Sequence, residues 1–448
     1  MKNYLMSLVL LAGTTIFAQN EVSDMLYKIA DAPSAERIEI DINKLVDFGT
    51  RHTLSDTVSE TRGIGAARRW IKSEFDKISE ACEGCLEVQY QSTLEPKNER
   101  RIIKDTYIVN VLAIQRGTTY PNSYVIMSGD IDSRVSDPNN YTDDSPGAND
   151  NASGMAGTIE AARVLSKYQF PVSIIYVGLS GEEQGLFGGK HLAQKAKKEG
   201  WDIIGVINND MIGNYHGIDG VIDNTTFRVF SEAISMSLTE REKRAMRFYG
   251  GEVDGPSRQL ARYIDRITDQ YMINLDAIMI YRLDRFGRGG HHRPFNDEGF
   301  TGVRIMETHE NYNRQHQDIR VENGINYGDV IEGVDFDYAA KLTAVNALTL
   351  ASLASAPEAP KNLSIGGAVG PSARLQWDKS EDKGLKGYKV YWRKTTSSQW
   401  EFSRFIGKKN SYMLKNLVID NYLFGVSSVG ENGAESLVAF PYKLIPDN

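Results

Sequence analysis

Three apolar runs that each stop on acid constrain this chain more than any other feature. Tyr124-Val125-Ile126-Met127 leads into Gly129-Asp130-Ile131-Asp132, the run 172–179 leads into Gly181-Glu182-Glu183, and the run 203–207 leads into Asn209-Asp210. Short runs rich in branched and aromatic residues read as buried strands. Between the first two lies Ser145-Pro146-Gly147-Ala148-Asn149-Asp150-Asn151-Ala152-Ser153-Gly154. There Asn151 and Ser153 read as caps of a helix over 153–165, with Asp150 at its positive end. A second helix is expected over 186–197. Strand and helix in alternation predict an α/β, doubly wound, mostly parallel mixed sheet with helices on both faces. Loops leaving the carboxyl ends of parallel strands open on one crevice, so Asp130, Asp150, Glu182, Glu183 and Asp210 are expected to meet there. Each uncompensated buried charge costs on the order of several kcal/mol, so such crowding calls for cations. Divalent metal is the simplest answer.

The chain of 448 residues exceeds one ordinary core and suffices for a large domain plus a module. A lysine near the start, an apolar stretch over 5–17 and Ala18 before Gln19 form a secretory leader pattern, too short for a membrane span. The expected divisions are a signal peptide at 1–18, a catalytic domain at 19–355 and an all-β sandwich at 356–448. An exported protein, periplasmic or extracellular, follows. In that setting Cys82 and Cys85 read as a local disulfide. The net charge of −8 argues against nucleic acid or an acidic membrane surface as partner. No later run reaches the length of a membrane span.

Within the first domain, residues 63–78 read as an amphipathic helix and 336–354 as the closing helix. The stretch 282–294, rich in Gly and Arg and carrying His291 and His292, reads as a site loop. After Ala356-Pro357-Glu358-Ala359-Pro360, short alternating strands predict the β-sandwich. The spacing of Trp377, Tyr388, Tyr391 and Tyr422 resembles a fibronectin type III module, expected to contact a surface, a glycan or a protein.

The first domain resembles the secreted co-catalytic zinc aminopeptidases, the group that also contains glutamate carboxypeptidase. The motifs that carry the likeness are Ser-Gly-Asp-Ile-Asp-Ser at 128–133, Pro-Gly-Ala-Asn-Asp-Asn at 146–151, Gly-Glu-Glu-Gln-Gly-Leu at 181–186, Asn-Asp-Met-Ile-Gly at 209–213 and His-Arg-Pro-Phe at 292–295. The resemblance implies two divalent ions, zinc first, bridged by Asp150. Glu183 and His292 would complete one ion, and Asp210 with Asp130 the other. It makes Glu182 the general base and places Asp132 behind the ligands. A bridging carboxylate holds two cations about 3.5–4 Å apart, where one water can be shared and acidified. His316 falls where the family has a histidine lining the substrate cleft.

Two positions depart from the family pattern: Asp130 stands where a histidine is usual, and His291 where Asp or another polar residue is common. An all-carboxylate half-site holds zinc less firmly against manganese, so the second ion is expected to be weaker and exchangeable. His291 is expected either to donate to the oxyanion or to pack against the loop. The leading expectation is an aminopeptidase acting on peptides with a free N-terminus. A carboxypeptidase of the same architecture, a glutaminyl cyclase, and a non-catalytic peptide- or glycan-binding protein with a degenerate metal site are the alternatives.

Overall fold

The computed structural model describes residues 21–98, 100–367 and 369–445; the leader expected at 1–18 lies outside them. Helices α1 (Glu21–Ala30), α2 (Ala35–Val46) and α3 (Gly63–Ala81) place apolar residues three and four apart and bury Leu26, Ile29, Ile38, Ile42, Ile71 and Phe75. A disulfide between Cys82 and Cys85 ties the end of α3 to β1 (Leu86–Glu95). Then follow β2 (Thr106–Gln115), β3 (Tyr120–Asp130), α4 (Gly154–Leu165), β4 (Val172–Leu179), α5 (Glu182–Gly185), α6 (Phe187–Glu199) and β5 (Asp202–Asn209). The domain continues with β6 (Thr226–Ser231), α7 (Glu240–Met246), α8 (Pro256–Tyr271), β7 (Asp276–Ile280), α9 (His292–Asp297) and β8 (Gly302–Glu307). A small hairpin, β9 (Arg320–Glu322) and β10 (Ile325–Tyr327), precedes α10 (Phe336–Ala354).

Eight strands form one sheet in the order β1-β2-β4-β3-β5-β8-β6-β7. The central neighbours β4, β3, β5 and β8 run parallel, while β1 with β2, β2 with β4, and β6 with β8 are antiparallel. Side chains alternate between two layers because successive Cβ atoms point to opposite faces. Val111, Ala113, Ile174 and Tyr176 join the core under α4, α8 and α10, whereas Leu112, Ile114, Ile175 and Val177 join the core under α6 and α9. All eight residues of β4 are buried, as expected of a strand covered on both faces. Cutting Ile175 back to Ala would cost about 2–5 kcal/mol.

The Gly- and Arg-rich loop expected over 282–294 follows directly on β7, which ends at Ile280. One local expectation shifts. Asn151 does cap α4, its Oδ1 accepting from the Gly154 amide at 3.1 Å, but Ser153 instead donates through Oγ to the Asn149 carbonyl at 2.7 Å.

The C-terminal part contains β11 (Ser364–Gly366), β12 (Ser372–Gln376), β13 (Leu385–Lys394), β14 (Phe402–Phe405), β15 (Ser411–Lys415), β16 (Tyr422–Gly430) and β17 (Lys443–Leu444). One sheet has the order β15-β12-β11-β17 and the other β14-β13-β16, and Leu375, Trp377, Tyr388, Val390, Phe424 and Val426 from both share one core. That is sandwich packing. The sandwich is seated on α8 by charge. Asp254, just before α8, pairs with Arg262 of α8 and, at 3.1 Å, with Arg393 of β13, while Arg266 of α8 reaches Glu435 at 2.8 Å.

Candidate metal centre

Three parallel strands deliver the acids to one edge of the sheet. Asp130 ends β3, Glu182 and Glu183 open α5 just after β4, and Asp210 follows β5. Asp150 comes from the loop before α4, and its neighbours fix it: the Asn149 and Asp150 amides donate to Asp329 at 2.8 and 2.7 Å. Gly129 lets the end of β3 press against that loop, since a Cβ there would meet the Gly154 backbone at 2.5 Å. Asp132 then clamps the acidic turn. It accepts from the Glu182 and Glu183 amides at 3.2 and 3.0 Å and from the Thr53 hydroxyl at 3.1 Å.

The tightest grouping is Asp150, Glu183 and His316, which offer one ligand atom each within 4.8 Å of one another. One divalent cation spans such a spacing at bond lengths of about 2.0–2.2 Å, and two carboxylates with an imidazole are donors that suit zinc. His316 Nε2 lies 2.8 Å from Glu183 and 3.0 Å from Asp150, and Gln315 donates to Asp150 at 3.1 Å. Arg134 reaches two of the three, donating to Glu183 at 2.8 Å, with its guanidinium 2.8 Å from His316 Nδ1. A second grouping adjoins it. Asp130 lies 2.5 Å from His291 Nδ1, and the buried Arg304 pairs with Asp210 at 2.9 Å and with Asp284 at 3.0 Å.

Burial opposes every charge here, and the residues divide by what answers it. Burial pushes Asp150 up, but His316 and Gln315 outweigh it and hold the carboxyl well below its ordinary range. Glu183 is also held low, with His316 and Arg134 overcoming burial. His316 is pushed up to about 9, because Glu183 and Asp150 retain its proton against desolvation. Elsewhere burial wins. Asp210 rises to about 8 despite Arg304, and Glu182 and Asp130 are raised well above the usual carboxyl range by burial and neighbouring acids. Desolvation lowers His291 and His292 to about 4.

The clearest correction concerns the last histidine. His292, expected beside Glu183, donates from Nε2 to the Leu283 carbonyl at 2.8 Å and lies 3.7 Å from Asp284. The short helix α9 begins at this residue and buries its ring under the 282–294 loop, so His316 stands where His292 was expected. Asp130 also differs from its expected place as a free ligand: both oxygens are engaged, Oδ1 by His291 and Oδ2 by Asn151 at 2.7 Å. The loop carrying His291 and His292 does reach the site. Arg134, Arg304, Gln315 and Asp329 were missed. Arg304 alone carried a signal, a charge inside an apolar strand, where a buried partner is required.

These groups lie along a cleft of about 550 Å³ lined by Asp150, Glu182, Glu183, Asp210 and His316 and by the cations Arg101, Arg134, Lys190, Arg285, Arg288 and Arg293. Among the described residues, none of the sandwich lines it. Glu182 is partly exposed there, and among the described residues its carboxyl makes no hydrogen bond or ion pair.

The profile of peptidase family M28 matches residues 110–328, which include every member of both groupings. A probable zinc metalloprotease of Pyrenophora teres f. teres is 43% identical over 423 residues, covering 94% of this chain and 87% of that one. Another, from Leptosphaeria maculans, is 42% identical over 427 residues, covering 95% and 97%. Among solved structures, the Legionella pneumophila LapA aminopeptidase matches with a TM-score of 0.54 at 18% identity, over 76% of this chain and 77% of its own, a likeness of fold. Identity of this order along nearly the whole chain, with an acid-rich centre inside the matched segment, leaves one conclusion: the chain belongs to peptidase family M28 and is a metallopeptidase.

Proposed function

We propose that the protein is an exopeptidase working with two divalent ions, zinc at the firmer position, and that it removes residues from the free N-terminus of peptides. The observation that carries this reading is the Asp150, Glu183 and His316 triad beside an unpaired Glu182 in an open cleft. Asp150 would bridge the ions, Glu183 and His316 would complete one, and Asp210 would serve the other. When bound, the ions supply the charge that acidifies water and stabilises a tetrahedral oxyanion. The protein's own groups do the rest. Glu182, in the cleft beside Glu183 but outside the triad, takes the proton of the attacking water and passes it to the leaving amine. Asp132 fixes the turn that aims Glu182, and Arg134 fixes the faces of Glu183 and His316.

A second reading, carboxypeptidase action, draws on the six Lys and Arg side chains along the cleft, which suit a substrate carboxylate. Release of chromophore from aminoacyl anilides, with zinc, manganese or cobalt added, tests the first reading. Metal-dependent cleavage of N-blocked peptides from the other end, with anilides untouched, would replace it by the second.

The leader pattern and the disulfide support export, and N-terminal sequencing of the mature protein from a cell envelope or medium fraction tests it. The fibronectin type III likeness of residues 356–448 and a role in contacting a surface, glycan or protein belong to the same proposal. Its support is that the sandwich stands apart from the cleft lining.

A further inference from the structure

The 282–294 loop and the segment that carries His316 are fastened together at one guanidinium. Arg288 Nη1 lies 3.4 Å from Glu310 Oε2 and donates to Gln315 Oε1 at 3.1 Å, so it spans both ends of residues 310–315. Gln315 in turn donates from Nε2 to Asp150 Oδ2 at 3.1 Å. The members dictate the direction of this chain: arginine only donates and a carboxylate only accepts, so the buried amide between them has one orientation available. His316 Nε2 lies 3.0 Å from the same Asp150 oxygen. Side chains of adjacent residues ordinarily diverge, yet Gln315 and His316 meet on one atom. His316 has φ +53°, in the left-handed region that few residues other than glycine adopt. Such a backbone persists only where its surroundings hold it. Here the holds are Arg134, 2.8 Å from His316 Nδ1, and Arg288 at Gln315.

We propose that Gln315 and Arg288 are positioning residues: Gln315 fixes the Asp150 carboxylate where Glu183 and His316 can share an ion with it, and Arg288 acts through Gln315. This inference rests on the reading of those three residues as the firmer metal site. Partners behind a ligand orient it, and losing one costs about 10–100-fold in metal affinity. Arg288 is an unexpected member of such a set, because its charge is felt at Asp150 and must repel a cation bound there. Its side chain is 32% exposed and lines the cleft. A cation so placed hinders metal unless what it holds outweighs the repulsion. The two effects have opposite signs, and removing Gln315 separates them. The 282–294 loop thus serves the centre through Arg288, where His292 was expected to.

The test is zinc affinity of the full chain by chelator competition at one fixed pH, with no reliance on turnover. Gln315→Ala should weaken the firmer site about 10–100-fold, and Arg288→Met about 10-fold. In the Gln315→Ala background only repulsion is left to remove, so adding Arg288→Met should no longer weaken zinc binding and should tighten it. Arg288→Lys, which keeps a donor for Gln315 Oε1, should bind zinc more tightly than Arg288→Met. A purely structural effect of Arg288 would instead weaken zinc binding in both backgrounds alike. That result overturns the proposal, as does an Arg288→Met protein that binds zinc as well as wild type or better. If Gln315→Ala fails to fold, the affinity order wild type, Arg288→Lys, Arg288→Met decides alone, and any other order overturns the proposal. Wild type that binds no zinc at all would instead sink the proposed function, so the two failures are separable.

Discussion

The seam beneath the sandwich and the floor of the cleft both bury several charges, yet they are composed differently. At the seam, Asp254 lies between Arg262 and Arg393, whose side chains are 3% and 4% exposed, and Glu435 is shared by Arg266, Lys389, Tyr391 and Ser427. Each of the two acids there has two cations, so neither acid is left without a partner. On the cleft floor Asp130, Asp132, Asp150, Glu182, Glu183 and Asp210 face Arg134, Arg304 and His316, and acid is in excess. Both groups bear a desolvation penalty. The difference teaches how to read a buried charge: where partners are complete the cluster joins two surfaces, and where they are not the remainder is reserved for a ligand.

Several changes would break or sharpen that contrast. Glu182→Gln should lower kcat by about 10²–10⁴-fold while zinc content and thermal midpoint stay unchanged, read by anilide kinetics and calorimetry. Asp254→Ala should do the opposite, since it strands two arginines: unfolding in denaturant should report a loss of about 3–5 kcal/mol, with kcat/KM of the folded fraction intact. Arg134→Met, which removes support from Glu183 and His316, should weaken the firmer metal site about 10–100-fold by chelator competition. Acidity gives a graded effect, small for each step of pH. His316, raised to about 9 in the metal-free centre, must shed a proton to bind metal. Affinity should therefore fall about tenfold per pH unit below 9 and level off above it, as titration calorimetry can measure. The same shift stabilises the metal-free protein fully below about 6.5, the ordinary value, and that contribution fades as pH rises through 9. No such slope should attach to the seam.

The sequence was most informative where the cause is local. Strands β3, β4 and β5 and the acids at their ends were legible because apolar runs and turn residues declare themselves within a few positions. The closing helix expected over 336–354 was legible throughout, and α10 runs from Phe336 to Ala354. The choice between His292 and His316 was not. It depends on α9 turning one ring under its loop and on Arg134, 182 residues earlier in the chain, meeting the other. A pair of adjacent histidines gives no hint which of them faces the cleft. Asp329 was equally silent, because its two bonds to the Asp150 loop arise across 180 and 179 residues. Arg393 reads as an ordinary strand residue until Asp254 is placed beside it.

Helix α8 sends Leu260, Ile264 and Ile267 into the large core and Arg262 and Arg266 into the sandwich. A single rod is thus mortised into both lobes, and neither can swing without prising it loose. Anything outside that grasps the C-terminal lobe therefore also sets the compass heading of the cleft mouth, holding the blade at a fixed angle instead of leaving it to dangle from a tether.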